Sequence, residues 1–168
     1  AITFGYDKST MFSNNNFYVS TLSGMDSAGT AYALQGVESE LSIIGNNITC
    51  TSNGPNIGIY LTSMMGESSD VDIEYNNINV TGAAETGNQW ALISGIEITN
   101  GNAKIYNNTI YTFNKNGYVE EAPVHGISYG QWMYGERSVD AQDNTIYTEG
   151  KYTVSFLDGS SMSIVNNY

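Results

Sequence analysis

The chain holds 168 residues, with 5 basic and 17 acidic side chains for a net charge of −12, and 40% of it is apolar. That is enough apolar material for one continuous core and too much for wholesale disorder, while the acidic surface repels phosphate backbones and anionic headgroups, which excludes nucleic acid as a partner. Only 13% of residues are charged, so polarity rests on Asn, Ser, Thr and Gly, the composition of strands and turns rather than of helices.

In chain order, Ala1-Ile2-Thr3-Phe4 reads as mid-strand, with no secretory signal ahead of it. A motif then recurs: an apolar residue, two spacers, Asn, one spacer, an apolar residue. It occurs at Phe12–Asn15–Phe17, Ile43–Asn46–Ile48, Ile73–Asn76–Ile78, Ile105–Asn108–Ile110 and Ala141–Asn144–Ile146, and in truncated form at Ile164–Asn167. The asparagines are 31, 30, 32, 36 and 23 residues apart, a spacing that suits solenoid coils with loops of unequal length. Leu41, Val71, Ala103, Val139 and Met162 extend the alternation upstream, and Val19, Cys50, Val80, Thr112 and Thr148 extend it downstream. Side chains in a strand alternate with a period of two, so each motif predicts two short strands joined by a corner at the Asn.

A third strand precedes each pair: Tyr32–Leu34, Ile59–Leu61, Ile96–Ile98, Ile127–Tyr129 and Val154–Phe156. Gly58, Gly95 and Gly126 stand where these strands are expected to leave a turn. The prediction is an all-β, right-handed parallel β-helix of about six coils and three parallel sheets, forming a single domain over residues 1–168. Asparagine tolerates the left-handed conformation that a sharp corner needs, and its carboxamide both donates and accepts. Asn15, Asn46, Asn76, Asn108, Asn144 and Asn167 are therefore expected to form an internal ladder. Longer loops at 62–69, 82–90, 114–124 and 130–137 collect where solenoids often bind.

The Asn-Asn-Ile and Asn-Asn-Thr-Ile units resemble the β-helix repeats of pectin-lyase-like proteins, and within that group they are most similar to adhesin-like surface proteins of methanogenic archaea. The resemblance runs from Phe12 to Tyr168. It implies an extracellular, cell-surface location and a longer parent protein of many coils; no cofactor is expected. Both ends of the sequence cut through a coil, which suggests end-to-end stacking or self-association.

Enzymes of this fold class need clustered outward carboxylates, and the best constellation is Asp72, Lys104 and Asp140 in one column, with Glu74 and Arg137 nearby. Cross-strand charge pairing on a solvated sheet accounts for the same three residues. His125 is the one histidine and Cys50 the one cysteine, so no metal set is expected, and Cys50 is assigned to the core. Trp90, Tyr106, Tyr111, Trp132, Tyr134 and Tyr147 are outward or loop aromatics suited to stacking on sugars. Asn47, Asn79 and Asn107 each open an Asn-x-Thr glycosylation sequon. The expected function is a non-enzymatic structural or adhesin module that contacts a cell-wall or host glycan or a surface protein, without membrane insertion in this segment. The alternative is a polysaccharide lyase or hydrolase fragment acting on acidic polysaccharide.

Overall fold

In the computed structural model, strands and turns account for the described residues, which are 2–5, 9–21, 30–37, 40–62, 70–83, 92–99, 101–117, 123–130, 138–150, 152–157 and 161–165. The first coil comprises β1 (Ile2–Gly5), β2 (Thr10–Ser13) and β3 (Asn16–Ser20), and the second β4 (Ala31–Val37), β5 (Leu41–Ile44) and β6 (Asn47–Thr51). The third comprises β7 (Asn56–Thr62), β8 (Asp70–Glu74) and β9 (Asn77–Gly82), and the fourth β10 (Ile93–Thr99), β11 (Asn102–Tyr106) and β12 (Thr109–Asn114). The fifth comprises β13 (Val124–Gly130), β14 (Ser138–Gln142) and β15 (Thr145–Thr148), and β16 (Tyr152–Leu157) and β17 (Ser161–Val165) begin a sixth.

Each strand pairs in parallel with its counterpart one coil away. The first sheet runs β1-β4-β7-β10-β13-β16, the second β2-β5-β8-β11-β14-β17, and the third β3-β6-β9-β12-β15. The molecule is a parallel β-helix solenoid. Apolar side chains stack on like neighbours in the core: Ile43, Ile73 and Ile105 in the second sheet, Ile48, Ile78 and Ile110 in the third, and Leu34, Ile59, Ile96 and Ile127 in the first. All ten are fully buried. Each contributes about 1.5–3 kcal/mol relative to an exposed side chain, which makes these columns the main stabilising term.

The corner asparagines stand in single file inside. Nδ2 of Asn15 donates to Oδ1 of Asn46 at 3.2 Å, and Asn46 to Asn76, Asn76 to Asn108 and Asn108 to Asn144 each do so at 3.0 Å. The backbone N–H of each donor residue joins the same Oδ1, at 2.9–3.0 Å. The second amide hydrogen turns back to the preceding coil, from Asn46 to the Phe12 carbonyl, Asn76 to Ile43, Asn108 to Ile73 and Asn144 to Ile105, at 2.7–2.8 Å. At Asn46, Asn76 and Asn108 both donors and both lone pairs are thus engaged, the condition for burying a carboxamide at little cost. Asn167 lies outside the described residues.

Three expectations are corrected. The left-handed conformation falls on the residue before each ladder asparagine, at Asn14 (φ 55°), Gly45 (66°), Tyr75 (56°), Asn107 (55°) and Asp143 (54°). That residue makes the turn and donates its N–H to the next coil, as Tyr75 does to Tyr106, which leaves the ladder residue free to point inward. In the first sheet, Leu34 pairs with Ile59, so Tyr32 aligns with Ile57 and the second coil is displaced by two residues from the predicted alignment. The register skips Ala33 and Gly58, and Tyr32 on one side of that break stacks on outward Tyr60 on the other, so a strict two-residue alternation does not run through this strand and could not fix its alignment. Gly58, Gly95 and Gly126 lie inside strands at negative φ and make space rather than a turn. A Cβ on Gly95 would come 2.3 Å from Cγ2 of Ile110, and one on Gly126 2.2 Å from Cγ2 of Ile146. The first and third sheets approach too closely for any side chain there.

Candidate functional site

The outward columns of β8, β11 and β14 line an open trough of about 450 Å³, walled by Asp70, Asp72, Asn102, Lys104, Ser138 and Asp140. It shares Asp70 and Asp72 with a second hollow of about 290 Å³ that reaches Glu40 and Ser42. Parallel register places Lys104 directly between Asp72 and Asp140, as the outward column predicts.

Every carboxylate in the trough's centre has a partner. Lys104 Nζ lies 3.8 Å from Asp72 Oδ1, on a surface where both side chains are solvated. Asn102 donates to Asp70 at 2.8 Å and accepts the Ser138 backbone N–H at 2.9 Å, bridging three strands. The Tyr106 hydroxyl donates to Asp140 Oδ2, and Gln142 Nε2 donates to both carboxylate oxygens at 2.8 and 3.0 Å. The Tyr106 hydroxyl, followed by Gln142, holds the Asp140 carboxyl below its ordinary range, and the same bond pushes the Tyr106 phenol up to about 12. At neutral pH Asp140 is therefore a carboxylate that accepts hydrogen bonds, not the protonated acid a glycosidase needs. Among the described residues, no three of His, Cys, Asp and Glu converge on a metal position. Glu74 lies on β8 beside Tyr106 of β11, and Arg137 is outside the described residues.

The aromatic candidates divide. Tyr111 and Tyr147 stack on the outer face of the third sheet with centroids 4.8 Å apart and planes 6° from parallel, and Phe113 lies beside Tyr111 at 6.2 Å and 10°. The rings spend faces on one another, and Tyr147 remains 53% exposed. Tyr106 is committed to Asp140 and offers no free hydroxyl. Trp90, Trp132 and Tyr134 lie outside the described residues. All three sequon asparagines are exposed: Asn47 accepts from Asn77 Nδ2 at 3.2 Å, Asn79 sits in mid-strand, and Asn107 sits on a corner.

Sequence reasoning missed a second outward group, on the first sheet. Tyr32 and Tyr60 stack at 5.0 Å, and Tyr60 is paired with Glu97, which is paired with Ser128. Burial pushes the Glu97 carboxyl up to about 7 and the His125 imidazole down to about 4. Glu97 Oε2 and His125 Nδ1 are buried, with no hydrogen-bond partner among the described residues. The available signal was Glu97 flanked by Ile96 and Ile98 on the outward side of an otherwise apolar triplet. Cys50 is in the core, as expected: its thiol donates to Asn56 Oδ1 at 2.6 Å, and burial raises it to about 11, so it is an inert hydrophobe. Compared with known proteins, the chain matches no family model, no curated protein and no solved structure.

Proposed function

We propose that the chain is a rigid segment of a non-enzymatic, extracellular surface protein, of the pectin-lyase-like and adhesin-like kind its repeats resemble, that displays its outer faces to a glycan or to another surface protein. The observation that carries this reading is the amide column. Asn46, Asn76 and Asn108 use every donor and acceptor they own to hold successive coils at one spacing. Such a column stiffens a rod and does nothing for turnover. The trough's carboxylates are tied to neighbours, whereas the Tyr111–Tyr147 stack and Phe113 stand on the surface. A net charge of −12 disfavours nucleic acid and anionic bilayers.

Binding to an array of cell-wall and host glycans, with Tyr147→Ala as the comparison, tests the display function. Retention weakened about tenfold or more by the substitution supports it, and unchanged retention removes the aromatic face from the reading. Protease shaving of intact cells tests the location.

The trough favours a second reading, cleavage of an acidic polysaccharide. An assay on polyuronate with and without calcium, using Asp72→Asn, separates the two. Calcium-dependent product lost in the variant establishes the enzyme and overturns the structural reading.

A further inference from the structure

We propose that Asn79 carries an N-linked glycan whose first sugar packs on the ring of Tyr111. Asn79-Val80-Thr81 is a sequon on β9, and alternation puts Asn79 and Thr81 on the outward face with buried Val80 between them. Asn79 is exposed, and its carboxamide enters no hydrogen bond among the described residues. The other two sequons differ. Asn47 already accepts a bond from Asn77, and its strand partners are Asn16 and Asn77, while Asn107 sits on a corner at φ 55° outside any strand.

Asn79 alone of the three is paired across strands with an aromatic residue. Its register partner is Tyr111, one strand spacing away (about 4.8 Å) on the same face. Tyr147 stacks on Tyr111 from the next coil, and Phe113 pairs with Thr81. A sugar on Asn79 thus stands at the end of an aromatic stack. The apolar C–H face of a pyranose matches an aromatic ring, and covering the ring removes exposed apolar surface.

The donor is a lipid-phosphate-linked oligosaccharide, met while the chain crosses a membrane. A bond forms between Asn79 Nδ2 and the anomeric carbon as the anomeric carbon–oxygen bond to phosphate breaks. The electron pair leaves with the lipid phosphate, and the one proton that the amide loses passes to solvent water. This rests on the extracellular reading above. The experiment separates the two by supplying export artificially, in a eukaryotic secretory host that attaches N-glycans, while protease shaving of native cells tests the location.

Secreted chains are treated with peptide-N-glycosidase in heavy-oxygen water, and occupied asparagines are read by mass. Asn79 is expected to be occupied. The ring protons of its first sugar are expected to shift upfield in NMR spectra, and that shift is expected to vanish in Tyr111→Ala while occupancy persists. Loss of the glycan is expected to lower the melting temperature in the parent and not in Tyr111→Ala. An unoccupied Asn79 in secreted, folded protein overturns the site. Occupancy with sugar shifts indifferent to Tyr111→Ala overturns the packing.

Discussion

At Asn108 a single carboxamide joins three coils: Nδ2 donates forward to Asn144 and back to Ile73, and Oδ1 accepts from Asn76. Truncation to alanine leaves these partners buried and unpaired, so Asn108→Ala is expected to cost about 1–3 kcal/mol in denaturant unfolding. Asn79→Ala in unglycosylated protein, at an exposed position, is expected to be nearly silent. Equal losses at the two positions would show that the column carries no special weight. One residue earlier, Tyr75 holds a left-handed conformation costly for a bulky side chain, and it is 62% exposed. Asn14 and Asn107 take the same conformation at equivalent corners. Tyr75→Asn is therefore expected to stabilise by roughly 1 kcal/mol, read as a higher melting temperature. A lower one would mean that the Tyr75 ring contributes more than its backbone strain costs.

At the scale of the strand, β10 and β13 carry two half-buried groups whose titrations oppose each other. Glu97 keeps its proton in the fold up to about 7, whereas the unfolded chain loses it near 4.5, so stability falls as pH rises between those values. His125 stays neutral in the fold down to about 4, whereas the unfolded imidazole charges below 6.5, so stability falls as pH drops between those values. The two slopes, each up to about 1.4 kcal/mol per pH unit, oppose one another from 4.5 to 6.5. Relative to the parent, Glu97→Gln is expected to make stability climb more steeply with pH across that window, and His125→Gln to make it climb less. Urea midpoints that run parallel in all three proteins would refute both assignments.

Strands also set what the sequence could disclose. The second and third strands of each coil are legible because their apolar positions flank a repeated Asn at fixed offsets. The first strand is buried continuously from Asn56 to Ile59 and its pairing skips Gly58, so its pattern has no clean alternation from which to read the register. The column Asp72, Lys104, Asp140 follows from register, but the bond from Tyr106 to Asp140 depends on side-chain reach. Glu97 stayed hidden for a related reason: periodicity reports which way a residue points and is silent on how deeply an outward residue is covered.

Across the whole molecule, contacts link each coil to its neighbours, so stability is a sum over coils and interfaces. Central coils have two interfaces and are expected to open least. In hydrogen exchange, the backbone amides of Asn46, Asn76 and Asn108 are expected to be slowest, and that of Asn15 faster by about tenfold or more. Uniform protection from end to end would indicate a single cooperative unit instead.

The amide file also has a direction, since every forward Nδ2 bond runs from a coil to the one after it. Moving one winding along the axis therefore returns an identical socket and plug. The 32-residue unit at positions 77–108, copied in tandem, meets itself at the seam with the contacts it already makes on either side. Lengthening by whole windings requires no newly invented junction, so duplication within a gene is a ready route to rods of different reach.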